Sequence, residues 1–188
     1  MILVGGYEAW RNRAQSQPPG ILVRSTPAQH NFETPPASIS YRNVILDPLA
    51  EFSLEGRVLS TESYTLDRLA SIVPTDVAIG WGIMSDSATL EKLKIRQANR
   101  FYFYTWRNEA DFDARELSLN SANMHLIAAN EFLEGEIKRL RKGQLIRLQG
   151  KLVRINFKEG TDAKSSMTRE DTGAGACEIV WVENLEIR

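Results

Sequence analysis

The sequence predicts a mainly β domain, a barrel-like, OB-like fold with one or two inserted α-helices. Three observations predict it: alternating apolar residues over several short segments, one strongly capped helix late in the chain, and a change of alternation at a glycine just after that helix. An open α+β sheet is the alternative. The chain has 188 residues, of which 43% are hydrophobic and 25% charged, with a net charge of −1. This is the make-up of one ordinary globular domain, long enough to bury a core without a disulfide or metal.

The first 40 residues differ from the rest. Pro18, Pro19, Pro27, Pro35 and Pro36 recur among Gln, Ser and Asn. Repeated proline removes backbone donors and fixes φ, so residues 1–40 are expected to form an extended arm, with Ile21-Leu22-Val23 docking as an edge strand. Residues 41–188 form the expected domain. Ile2-Leu3-Val4 followed by Tyr7, Trp10, Arg11 and Arg13 has the composition of the exit end of a membrane anchor, which needs an apolar segment upstream of Met1 to become one.

Within the domain, Phe52, Leu54, Gly56 and Val58 alternate with Glu55 and Arg57, which is the pattern of a half-buried strand. Asp76 to Gly82 and the aromatic run Arg100 to Trp106 form two more strands, and Met124 to Ala128 a shorter one. Asp86 is placed to cap a helix carrying Leu90, Leu93 and Ile95. Asn130 caps the best-marked helix: Glu131 and Glu134 fill its first turn, Phe132, Leu133, Ile137 and Leu140 form its stripe, cations close it, and Gly143 suits a left-handed terminus. In Gln144 to Phe157 the apolar positions are Ile146 and Leu148 before Gly150, then Val153, Ile155 and Phe157 after it. The expected cause is a bulge or corner at Gly150 that curls the sheet towards closure. Ile179 to Ile187 is the closing strand.

Charge is unevenly placed. Residues 91–158 carry 14 basic and 8 acidic side chains, whereas the segments on either side are acidic. Such a field suits an anionic partner, although Lys138, Arg139, Arg141 and Lys142 are also accounted for by a helix C-terminus.

The stretches Leu46-Asp47-Pro48-Leu49-Ala50, Gly80-Trp81-Gly82-Ile83-Met84-Ser85-Asp86, Ser121-Ala122-Asn123-Met124-His125-Leu126-Ile127 and Asp171-Thr172-Gly173-Ala174-Gly175-Ala176-Cys177-Glu178 together resemble a family of uncharacterised bacterial proteins of proteobacterial type. Many of that family begin with a membrane anchor and none has an assigned activity. The resemblance covers about residues 41–188. It implies a bacterial source and a chain that starts upstream of Met1, and it brings no mechanism. Lys158 to Lys164 departs from the pattern by lacking a tryptophan.

Several motifs carry possible chemistry. Asp171-Thr172-Gly173 matches the aspartic-protease signature, but that chemistry needs two such carboxylates and the chain has one copy. Gly173-Ala174-Gly175-Ala176 leads into a strand, which argues against a phosphate loop. One Cys and two His, Cys177, His30 and His125, exclude an all-protein Cys/His zinc centre. No cofactor and no metal are expected. Cys177 and His125 form the one pair suited to thiol catalysis, with Asn123 or Asp171 orienting the ring. The plainer account is a small buried thiol and a histidine satisfied within the sheet. Ser165, Ser166, Arg169, Asp171 and Thr172 form a polar loop at the expected barrel mouth, suited to a small anionic ligand. Tyr102, Tyr104 and Trp106 with Arg100 and Arg107 have the composition of a base-stacking strand.

From sequence, then, the expectation is a non-catalytic binding or assembly module for a protein or small anionic ligand, membrane-anchored or periplasmic in preference to cytoplasmic. Two rivals stay open. A thiol hydrolase requires Cys177 within hydrogen-bond reach of His125, and a single-stranded nucleic-acid binder requires Tyr102 or Tyr104 exposed on a basic face.

Overall fold

The computed structural model describes residues 14–107, 112–168 and 176–188. Ten strands carry the architecture: β1 (Ala28–Asn31), β2 (Ile39–Tyr41), β3 (Val44–Ser63), β4 (Thr75–Gly80), β5 (Leu93–Ala98), β6 (Phe101–Trp106), β7 (Ser121–Ala128), β8 (Leu145–Phe157), β9 (Ala163–Lys164) and β10 (Glu178–Ile187). Three short helices interrupt them: α1 (Ser87–Leu90), α2 (Ala114–Leu119) and α3 (Glu131–Lys138). The protein is mainly β with few helices, as its alternation predicts.

Strands β3, β4, β7, β10 and β8 pair in that order, and β8 pairs back onto β3, which closes a ring. All neighbours are antiparallel except β7 and β10, which are parallel. The open-sheet alternative is therefore not what forms. β3 spans the molecule: its first half pairs β8, β1 and β2, and its end pairs β4. Helix α3 follows β7, and its Asn130 side chain accepts a hydrogen bond from the Leu133 N–H at 2.9 Å. Leu133 and Ile137, with Leu140 beyond the helix, turn into the ring interior with Phe52, Leu126 and Val180.

The bulge or corner expected at Gly150 is not in β8 itself: the irregularity lies in β10, between Val182 opposite Gly150 and Asn184 opposite Gln149. β8 runs unbroken from Leu145 to Phe157, and its pairing with β3 keeps register on both sides of Gly150. The change of alternation has another cause. Ile146, Leu148 and Leu152 face the ring interior, whereas Val153 and Ile155 face a second core on the opposite side, built with Leu46, Ile72, Ile127 and Trp181. The buried face changes where Leu152 and Val153 are both covered, on opposite sides; beyond them the odd residues are apolar and Arg154 and Asn156 take the other side, with Arg154 exposed. Curvature comes from the partner strands, whose registers slip between Pro48 and Ala50, Val58 and Ser60, and Val182 and Asn184. An extra residue there increases local twist and bends the strand. Gly150 is instead required by a close approach: a Cβ there would lie 1.9 Å from the Trp181 carbonyl oxygen.

The arm also differs from expectation. Ile21–Val23 is not a strand; the edge pairing is made by Ala28–Asn31. Val23 is buried, and its N–H and C=O bond Ser85 Oγ and the Gly82 N–H at 3.0 and 2.8 Å. Asp86 does cap a helix, accepting from the Ala88 N–H at 2.9 Å, but that helix stops at Leu90. Leu93 and Ile95, expected on the helix, belong to β5. β5 and β6 form a hairpin whose inward side chains, Leu93, Ile95, Tyr102, Tyr104 and Trp106, make a third core against Leu59, Ala78 and Leu117. No helix among the described residues is long and apolar enough to cross a membrane.

Candidate functional site

The parallel pairing of β7 with β10 decides what meets. Glu178 stands beside Met124 and Ile179 beside His125, while Asp76 on β4 stands opposite His125 on its other side. Val77, Met124 and Val180 point into the ring. Alternation then sends Asp76, Asn123, His125 and Cys177 to the outer face, where the tip of the β5–β6 hairpin covers them.

That tip is a two-residue turn. Asn99 and Arg100 both have positive φ, 53° and 69°, as a type I′ hairpin turn demands. The turn delivers Arg100 to two carboxylates. Its Nε and one terminal nitrogen donate to Asp67 at 2.8 and 2.7 Å, and the other donates to Asp76 Oδ1 at 2.7 Å and to the Val73 carbonyl at 2.9 Å. The guanidinium carbon lies 3.9 Å from the centre of the Tyr64 ring. This forked, stacked arrangement is specific to arginine. Its carbonyl is also used, accepting from Asn123 Nδ2 at 2.9 Å and from the Cys177 thiol at 3.8 Å.

Asp76 Oδ1 meets His125 Nδ1 at 2.9 Å, with Asp76 fully buried and His125 7% exposed. Cys177 lies beside Asn123 on the same face as His125 and adds to the influences that raise the ring's pKa. Burial opposes charge on the ring, but the hydrogen bonds and negative charges of Asp76 and Cys177 outweigh it and push the His125 pKa up to about 9. Asn123 Nδ2 adds a 3.7 Å contact to the Cys177 sulfur, and Gln97 fixes the Asn123 carbonyl oxygen at 2.7 Å. Cys177 is half-buried. The structure places Asp76 against the His125 Nδ1, and Asn123, expected to orient the ring, contacts the Cys177 sulfur. The other orienting candidate, Asp171, lies outside the described residues, as do Arg169 and Thr172 of the polar loop.

Ser165 and Ser166 border the same cluster. Ser165 Oγ accepts from the Ile179 N–H at 3.1 Å and donates to the Ser166 carbonyl at 2.8 Å. The Ser166 N–H donates to the Cys177 carbonyl at 3.0 Å, and its hydroxyl donates to the Thr168 carbonyl at 2.8 Å. Both serines are buried, and their hydroxyls tie the loop to the start of β10. Among the described residues no group of three His, Cys, Asp or Glu side chains is arranged around a metal position.

The aromatic strand is turned the other way from the base-stacking expectation. Tyr102, Tyr104 and Trp106 face the third core, where burial raises the pKa of both tyrosines, and Arg100 is committed to Asp67 and Asp76. Phe101 and Phe103 are the outward residues, 37% and 41% exposed. Across the hairpin Arg96 pairs with Phe103, its guanidinium 5.1 Å from the ring centre, and Lys94 is exposed beside it.

The chain matches no family model, no curated protein and no solved structure. Its function is therefore argued from its own chemistry.

Asp76 and Asp67 are candidates that sequence reasoning missed, and Arg100, expected beside a base-stacking strand, binds both of them instead. One signal was present: Asp76 shares its parity with Ala78 on a strand that is apolar throughout the remainder, which marks a charge with a partner waiting.

Proposed function

We propose that the protein is a binding module on an OB-like ring, and that its docking face is the outer side of the β5–β6 hairpin, taking an anionic partner of the single-stranded nucleic-acid class. The strand order supports the OB-like reading: three strands, a helix, then two more, with the third and fifth parallel. The observation that carries the docking face is the exposure of Phe101 and Phe103 beside Lys94 and Arg96. Exposed aromatic faces give stacking surfaces for bases, and the cations follow phosphates. An open cleft of about 550 Å³ at the far end of the hairpin continues the basic character: among the described residues its wall holds Lys92, Lys94 and Arg107 against Glu91, with Trp106 beside them. Membership of the resembled bacterial family, and a tether to its membrane, belong to the same proposal.

Fluorescence anisotropy with a labelled single-stranded oligonucleotide, and with polyphosphate as competitor, tests this. Binding should fall steeply with salt, and F101A/F103A should weaken it by about tenfold while polyphosphate competes poorly. Equal competition by polyphosphate reduces the face to a general anion site. Absence of oligonucleotide binding at low salt removes the proposal.

A further inference from the structure

We propose that Cys177 is the nucleophile of an acyl-transfer site acting on an activated ester or thioester, with His125 carrying the proton and Asp76 orienting the ring. The arrangement sets the residues of an activated nucleophile on one face of the sheet: the parallel register of β7 and β10 brings Cys177 beside Asn123 and next to His125, whose Nδ1 is held 2.9 Å from a fully buried carboxylate. With Nδ1 held by Asp76, Nε2 is the nitrogen left for the thiol. Arg100 clamps the same Asp76 oxygen at 2.7 Å, which keeps that carboxylate aimed. Asn123 Nδ2 at 3.7 Å from the sulfur supplies a further donor towards developing negative charge. The His125 pKa of about 9 makes the ring cationic at neutral pH, the form that supplies a proton to a leaving group.

The chain contains one cysteine, so disulfide exchange within it has no second thiol. A proton relay held by a buried carboxylate suits a reaction whose leaving group must be protonated. The thiolate attacks the acyl carbon and the S–C bond forms. The bond from that carbon to the leaving oxygen or sulfur breaks, and His125 protonates the departing group. Neutral His125 then takes a proton from water as it attacks the thioester, which releases the carboxylic acid and restores the thiolate and the imidazolium. Nothing is oxidised or reduced. Among the described residues, the titratable and charged groups facing the pair are Asp76 from β4, Arg100 from the hairpin tip and, through Arg100, Tyr64 and Asp67.

The test uses the whole chain, iodoacetamide and p-nitrophenyl acetate, read by intact mass and p-nitrophenol release. Native Cys177 should alkylate near neutral pH about tenfold faster than glutathione, and the ester should give a burst of p-nitrophenol with one acetyl group on Cys177. H125Q should lose both while remaining folded at the assay temperature, with an unfolding temperature lowered by loss of the charged ring. D76N should shift the pH dependence of alkylation, a change that loss of packing alone does not produce. Should D76N not fold, the wild type still decides. Protection of Cys177 until denaturation overturns the proposal, and so does alkylation without acetylation, or acetylation that H125Q leaves unchanged. Oligonucleotide binding at the hairpin is scored separately, so either proposal can fail alone.

Discussion

Asp76 on β4 and His125 on β7 stand directly opposite one another and meet through a 2.9 Å bond, with the carboxylate wholly out of solvent. The same Oδ1 takes Arg100 at 2.7 Å. One buried anion therefore holds two cations from two different elements, and the hairpin tip is fastened to the ring through it. A buried charge is tolerated only when paired in this way. The pairing also makes the charge of His125 a property of the folded state.

Stability should therefore depend on pH in one direction. The His125 pKa rises from the ordinary 6.5 to about 9 on folding. A raised pKa contributes stability that is fully present below the unfolded value and is lost as pH climbs through the folded one. The unfolding temperature should fall between about pH 6.5 and 9, with a total effect of roughly 3 kcal/mol. H125Q should flatten that limb. C177S should move it to lower pH, because the hydrogen bond and charge of Cys177 both raise the His125 pKa. A wild-type profile flat over this window would show that the ring is not charged.

Removing the anion should cost more than removing its exposed counterpart. D76N leaves Arg100 and the imidazolium buried beside a neutral group, and breaking such a pair costs about 3–5 kcal/mol. D67N removes a carboxylate whose side chain is 40% exposed, and Arg100 keeps Asp76, so about 1 kcal/mol or less is expected. Urea midpoints of the two variants measure the difference. Equal losses would mean that Arg100, and not the buried carboxylate, organises the cluster.

Two glycines should respond oppositely to alanine. At Gly150 a Cβ meets the Trp181 carbonyl oxygen at 1.9 Å, a backbone atom that moves only if β10 moves, so G150A should lose about 1–3 kcal/mol or more. In α3 a Cβ on Gly135 meets nothing closer than the Arg139 guanidinium at 3.6 Å. G135A should gain about 0.5–1 kcal/mol from helix propensity. Thermal unfolding of both variants reads the contrast. A tolerated G150A would remove the account of the glycine as a contact point between β8 and β10.

The strands of the ring were legible wherever one face is core and the other is wet, as in Phe52 to Val58. β5 was not, because Leu90, Leu93 and Ile95 satisfy a helix face about as well as Leu93 and Ile95 satisfy a strand. Gly150 misled for a related reason. Alternation records which side of a strand is buried, and a strand that passes from one core to a second core on its opposite face mimics a corner. The thiol and imidazole were visible as residue types, but their meeting depends on the parallel register of β7 and β10, which nothing local specifies. Asp76 looked like the polar start of a strand, and its two cationic partners come from β7 and from a hairpin tip with no sequence proximity to it.

The hairpin faces give the sharpest separation between packing and binding. Tyr102 lies in the third core, and its hydroxyl is within 3.5 Å of Ser121 Oγ, so Y102A opens a cavity between the hairpin and the ring. A loss of about 2–4 kcal/mol is expected, in the range of large-to-small core changes. Phe103, one residue on, faces solvent with Arg96 and Phe101 against its ring, and F103A should change stability by no more than about 0.5 kcal/mol. Urea unfolding of each variant, paired with oligonucleotide anisotropy, assigns each residue its part. If Phe103 serves docking, F103A weakens binding at unchanged stability. Were F103A instead as destabilising as Y102A, Phe103 would be part of the hydrophobic packing, and the docking face would lose its central ring.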